Sequence, residues 1–190
     1  MTHVSTPRAL VALLFAVSLQ GGAPAGLSAQ SPPASDPMTH FPVVEGVNLE
    51  GRKFTLPADF EAELQIVFVA FKREQQSDVM TWIPFLKDET AKHRGLKVYE
   101  LPTLTRSLRF VRRFIDGGMS RGIPDRSTRE TTIPLYIDKA PFEHALDIAS
   151  EDTIRVLLVA RDGRVLFSGD GVFAEPAAAR LRTALSANTP

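Results

Sequence analysis

The densest chemical signal in this sequence is arginine. Between Arg106 and Arg129 stand Arg106, Arg109, Arg112, Arg113, Arg121, Arg126 and Arg129, opposed by Asp116 and Asp125, for a local charge of +5. A guanidinium group holds a carboxylate or phosphate through two parallel hydrogen bonds, so a row of them suits an anionic partner. At α-helical spacing Arg106, Arg109 and Arg113 fall close together, opposite Leu108, Val111 and Ile115. With Arg121 further along, these are the candidate partner-binding residues. The competing reading is a solvated face balanced by acids elsewhere in the fold.

Acid–base chemistry has one candidate centre, where Glu143 and Asp147 lie within a helical turn of His144. No nucleophile accompanies it, so an ordinary polar helix face is the first expectation and a non-thiol enzyme built on His144 or the Arg-rich loop is the alternative. His93 reads as a helix C-terminal residue facing the dipole. No His-x-His or His-Glu-x-x-His spacing exists, and neither a metal nor a cofactor is expected. Ser168-Gly169-Asp170-Gly171 lacks the Lys-Ser or Lys-Thr of a phosphate loop and reads as a turn. Trp82 with Phe85 could mark a partner groove, but aromatics at helical spacing pack into a core by default.

What the sequence lacks is equally informative. Its 190 residues include no cysteine, which excludes disulfides, thiolate nucleophiles, zinc ribbons and iron–sulfur ligation. With 44% hydrophobic and 23% charged residues the composition is that of a globular protein. Twenty-two basic residues balance twenty-two acidic ones, so no overall field favours nucleic acid.

The N-terminus carries Arg8, an apolar run from Ala9 to Leu19, and then Gly21-Gly22-Ala23-Pro24-Ala25, the layout of a secretory signal peptide over residues 1–25. Cleavage after Ala25 or after Ala29 fits the small residues present. The run is about half the ~20 residues a membrane span needs, so no integral span is expected after cleavage and the location is periplasmic or secreted. Residues 26–40, with Pro32, Pro33 and Pro37, read as a flexible tether. A single domain over 41–187 and a short tail, 188–190, complete the chain.

The elements that position these residues follow from periodicity. Residues 41–57 read as a small hairpin turning at Glu50-Gly51, and the apolar run Leu64 to Phe71 as a strand covered on both faces. Val79, Trp82, Ile83 and Leu86 mark an amphipathic helix bent at Pro84, followed by a strand from Leu96 to Leu101 that ends at Pro102. A second helix is expected from Thr105 to Ile115, stopped by Gly117-Gly118, with a long functional or mobile loop to Thr132. A strand near Ile133 to Ile137, a short helix over Pro141 to Ile148, a hairpin through Asp162-Gly163 and a final helix after Pro176 complete the order.

Hairpin, βαβ unit, helical insertion, β-hairpin and terminal helix is an order that resembles the thioredoxin-like superfamily in its redoxin form. Phe71 and Pro84 stand where such domains have like residues. The resemblance implies an α/β three-layer sandwich with a central mixed β-sheet and an N-terminal hairpin extension. It places the family's reactive cysteines at Gln76 and Val79, and the family's cis-proline in the stretch Glu151-Asp152-Thr153-Ile154-Arg155, which has no proline. Neither an amide nor an aliphatic side chain replaces a thiolate, so oxidoreductase and peroxiredoxin activities are not expected.

Phe41-Pro42, Gly46, Leu49, Gly51, Leu56-Pro57, Trp82, Phe85, Asp162-Gly163-Arg164 and the 168–171 segment further resemble the mitochondrial ATP-synthase assembly-factor family. The signal peptide departs from that family's transit sequence. The resulting expectation is an exported, non-catalytic protein that binds a protein partner, as an assembly factor or chaperone for an envelope complex; a small-ligand binder is a further alternative.

Overall fold

The computed structural model describes residues 39–189, so the expected signal peptide and nearly all of the expected tether lie outside the described residues. Thr39 and His40, assigned to the tether by composition, are bound to the fold. Thr39 accepts a bond from the Val165 amide at 2.8 Å, and His40 bridges to Arg164.

A five-stranded sheet of order β5-β4-β3-β6-β7 forms the centre. Its strands are β3 (Leu64–Ala70), β4 (Leu96–Thr105), β5 (Leu135–Ile137), β6 (Arg155–Ala160) and β7 (Val165–Asp170). β3 and β4 are parallel, as are β4 and β5, while β6 and β7 run antiparallel to their neighbours. Successive side chains of a strand face opposite sides, so the unbroken apolar run of β3 feeds two cores. Ile66, Phe68 and Ala70 pack beneath α1 (Gln76–Thr81), α2 (Ile83–Lys92) and α6 (Glu175–Asn188). Val67 and Val69 pack against α5 (Lys139–Ala145) and a separate hairpin of β1 (Val44–Val47) and β2 (Lys53–Leu56). The expected three layers and N-terminal hairpin are therefore present. Within the hairpin, a Cβ on Gly46 would stand 2.4 Å from Ile133 Cγ2, so only glycine lets β1 lie this close to the sheet.

Several boundaries differ from the periodic reading. Pro84 starts a new helix, leaving Trp82 as the junction between α1 and α2, because a ring without an N–H is tolerated in a first turn. β4 does not stop at Pro102. That residue is the last β4 partner of β3, and Thr103 to Thr105 go on to pair with β5.

The expected helix from Thr105 to Ile115 is a 3₁₀ segment, Arg106–Val111, followed by α3 (Arg112–Gly122). Gly117 and Gly118 lie inside α3; the stop comes at Ile123, held extended before Pro124. The expected loop to Thr132 contains α4 (Arg126–Thr131), whose first turn is capped by the Asp125 carboxylate accepting from the Thr128 amide at 2.7 Å. Hydrogen bonds from Ser127 and Thr128 hold that carboxyl down at about 2. Ser168-Gly169-Asp170 is not a turn but the end of β7; the turn begins at Gly171, with φ of 77°. These polar capping and edge positions carry no hydrophobic period, which is why they escape a pattern reading.

Candidate functional site

The thiol positions implied by the family resemblance sit at the start of α1. Gln76 is its first residue and is exposed, while Val79, one turn on, is 4% exposed and packs in the core. The loop before β6 is held to this helix start by its neighbours. Buried Gln75 donates to the Glu151 carbonyl at 2.7 Å and accepts from the Phe71 amide at 2.7 Å, and Lys72 pairs with Asp152 at 2.6 Å. Behind them Lys139 pairs with Glu151 and holds its carboxyl below the usual range, whereas burial, followed by the hydrogen bond with Glu151, raises that of Glu143. Side-chain bonds thus engage Lys72, Gln75 and Lys139 beside these positions, and with no cysteine in the sequence no thiolate stands there.

His144 lies exposed on α5. Glu143 faces Glu151 and Lys139, and Asp147 lies beyond the helix at a positive φ of 52°. The three groups of the candidate acid–base centre therefore do not converge. His93 caps α2 as expected, with Nε2 3.6 Å from Glu89 and Nδ1 3.1 Å from the Thr189 hydroxyl. Among the described residues no group of three His, Cys, Asp or Glu side chains is placed to hold a metal ion.

The arginine run divides. Arg129 pairs with Glu50 at 2.6 Å and donates to the carbonyls of Ile123 and Pro124, and Arg126, paired with Glu130 inside α4 at 3.0 Å, also reaches Glu50 at 3.6 Å, so both tie α4 to its surroundings. Among the described residues no carboxylate lies within ion-pair distance of Arg106, Arg109, Arg113 or Arg121. The geometry of the first three differs from the α-helical expectation. A 3₁₀ segment has three residues per turn, so side chains at i, i+3 and i+6 stack. Arg106 and Arg109 of this segment share a cavity of about 740 Å³ with Arg112, the first residue of α3 just after it, whereas Arg113 and Arg121 do not line it. The apolar residues meant to bury the opposite face remain outside: Leu108 is 38% exposed and Val111 49%. Phe110 and Phe114 are 96% and 80% exposed.

Arg112, Asp116 and Tyr136 are site residues that the sequence reading did not select. The Tyr136 hydroxyl donates to Asp116 at 2.7 Å. Burial raises the Asp116 carboxyl, against the pull of Tyr136 and Arg112, and burial with the Asp116 bond pushes the Tyr136 phenol far above its ordinary value. The signal for Arg112 was the three-residue spacing of 106, 109 and 112; Tyr136 had none.

No protein-family model matches the sequence, and no curated protein matches it. Solved structures do match. A protein described as a thiol:disulfide interchange protein, DsbE, from Chlorobium tepidum aligns over 83% of this chain and 100% of its own, at 15% identity and a TM-score of 0.51. The chain has a thioredoxin-like fold. An uncharacterized conserved protein from Geobacillus kaustophilus aligns over 80% of this chain and 84% of its own, at 14% identity and a TM-score of 0.54. A thioredoxin-like protein from Aeropyrum pernix covers 76% of this chain and 89% of its own, at 16% identity and a TM-score of 0.44. This thioredoxin-like chain carries the fold without a single cysteine.

Proposed function

We propose that this is an exported, non-catalytic thioredoxin-like protein that acts by binding another protein, as an assembly factor or chaperone for an envelope complex. The observation that carries the reading is the surface of the 3₁₀ segment and α3. There Phe110 and Phe114 stand in solvent beside arginines that have no ion pair among the described residues, on a fold whose sequence has no cysteine. Arginine and phenylalanine are enriched in protein interfaces, and large exposed rings on a stable domain mark contact surfaces. Export is supported by the N-terminal basic residue, apolar run and small-residue cleavage sites. Among the described residues no helix is long and apolar enough to cross a membrane. The assembly role is what the narrower family resemblance implies.

Cross-linking in intact envelopes followed by co-purification tests this. A defined partner is expected, and charge reversal at Arg109 and Arg113 together (Arg109→Glu, Arg113→Glu) is expected to abolish its recovery while thermal stability stays within a few degrees, since both side chains are exposed. Recovery of nothing above background, or of a partner indifferent to both substitutions, would overturn the reading.

A further inference from the structure

The protein-binding reading leaves the partner's chemistry open, and the cavity beside the 3₁₀ segment narrows it. The cavity is lined by all four residues of β1, by Tyr136 and Ile137 of β5, and by Arg106, Arg109 and Arg112. Both strands lie at edges. β1 pairs with β2 alone and β5 with β4 alone among the described strands, so each has one side free of a strand partner. An unpaired edge is a template for an added extended chain.

The spacing of the cations matches such a chain. Three residues of 3₁₀ helix advance about 6 Å. Alternate side chains of an extended strand, which share one face, are separated by about 6.6 Å. Guanidinium groups at 106 and 109, followed by that of Arg112 at the first position of α3, can therefore meet carboxylates at about every second position of an extended segment. Lys53 adds a fourth cation to the lining. The acids of the lining are Glu45, Asp116 and Asp138, and Asp116 is already engaged by the Tyr136 hydroxyl at 2.7 Å and attracted by Arg112. Arg106 and Arg109 have no such internal partner. Val43, Val44 and Phe54 give the same cavity apolar surface for the intervening side chains.

We propose that this cavity binds an extended, acidic segment of a partner protein in which carboxylates alternate with other residues. The inference rests on the protein-binding reading and specifies its recognition element.

The test uses three fluorescently labelled heptapeptides with capped ends and the purified full-length protein. One carries Glu at positions 2, 4 and 6, one carries the same three Glu in a contiguous block, and one has Gln in place of all three. The alternating peptide is expected to bind, and the Gln peptide to bind at least about tenfold more weakly, as loss of charge-assisted bonds requires. The contiguous isomer is expected to bind measurably more weakly than the alternating one. The variant Arg106→Gln, Arg109→Gln, Arg112→Gln is expected to lose the same tenfold with an unchanged circular dichroism spectrum, while Arg94→Gln, exposed just after α2 and outside the cavity, retains binding.

Equal binding of the two Glu isomers would overturn the proposal, as would an unaffected triple variant or absence of peptide binding. Equal displacement of both isomers by inorganic phosphate or by anionic phospholipid vesicles would point to a plain anion site and overturn it too. If the envelope cross-link to a partner persists in the triple variant, this inference fails and the protein-binding reading stands; if no partner is captured by any form, both fail.

Discussion

Replacing Trp82 with alanine is expected to remove about 3–5 kcal/mol of stability, the range for truncating a large buried aromatic. Trp82 is fully buried at the junction of α1 and α2, with ring centroids of Phe68, Phe85 and Phe173 at 6.2, 5.8 and 5.4 Å in edge-on arrangements. Its Nε1 donates to the Gly171 carbonyl at 3.0 Å and so ties the helix junction to the turn after β7. Total stabilities of single domains are about 5–15 kcal/mol, so this one change consumes a large share. Trp82→Phe separates the two contributions. It keeps an aromatic ring in the cluster but strands the Gly171 carbonyl, and about 1–3 kcal/mol should be lost. Urea denaturation of the three proteins reads both values. Loss of less than about 1 kcal/mol in Trp82→Ala would show that the indole is not the keystone of this layer.

The second large effect is a gain. Installing Gln76→Cys and Val79→Cys together is expected to create a dithiol that closes to an intrachain disulfide in oxidised glutathione, in a chain that otherwise has no redox couple. Positions three apart in an α-helix have Cα atoms about 5 Å apart by helix radius and rise. That lies inside the ~4.4–6.8 Å window for a disulfide. Residue 76 is exposed and open to attack, and residue 79 is buried beneath it, which sets the order of nucleophile and resolving thiol. Mass spectrometry should find the double variant two hydrogens lighter after oxidation, the single Gln76→Cys variant forming only a mixed disulfide with glutathione, and the buried thiol of the single Val79→Cys variant staying reduced. If both thiols of the double variant stay independent, positions 76 and 79 do not occupy the family's redox register.

How far the fold was legible depended on which residues carry a period. β3, with its unbroken apolar run, and α6, with Ala178, Leu181 and Leu185 on one face, announce themselves, because burial leaves a regular trace in residue type. Trp82 and Phe85 were readable as core for the same reason. The segment from Arg106 to Thr131 was not, since none of its helices has a buried residue and its shape rests on local devices: a 3₁₀ period, an Asp125 cap, and Arg129 bonded to carbonyls. Reading it with a period of 3.6 grouped Arg113 with Arg106 and Arg109, whereas Arg112 is the one that shares their cavity, and it sent Leu108 and Val111 to a core they do not reach. The candidate surface was thus visible as charge, while its arrangement was visible only in three dimensions. Tyr136 and the two strand edges join the cavity through long-range topology, for which a single sequence carries no local mark.

The absence of thiol chemistry, by contrast, is legible in the sequence, because a missing residue type needs no coordinates to be established. The use proposed for this surface is contact with another protein. A photo-reactive amino acid placed at Phe110, which is 96% exposed, probes that contact in intact cells. A single discrete protein adduct is predicted, one that disappears when Arg109→Glu and Arg113→Glu are added and that does not form from the same label at exposed Thr183 on α6. Labelling at Phe110 that yields no adduct, or an adduct untouched by the two charge reversals, would contradict the account.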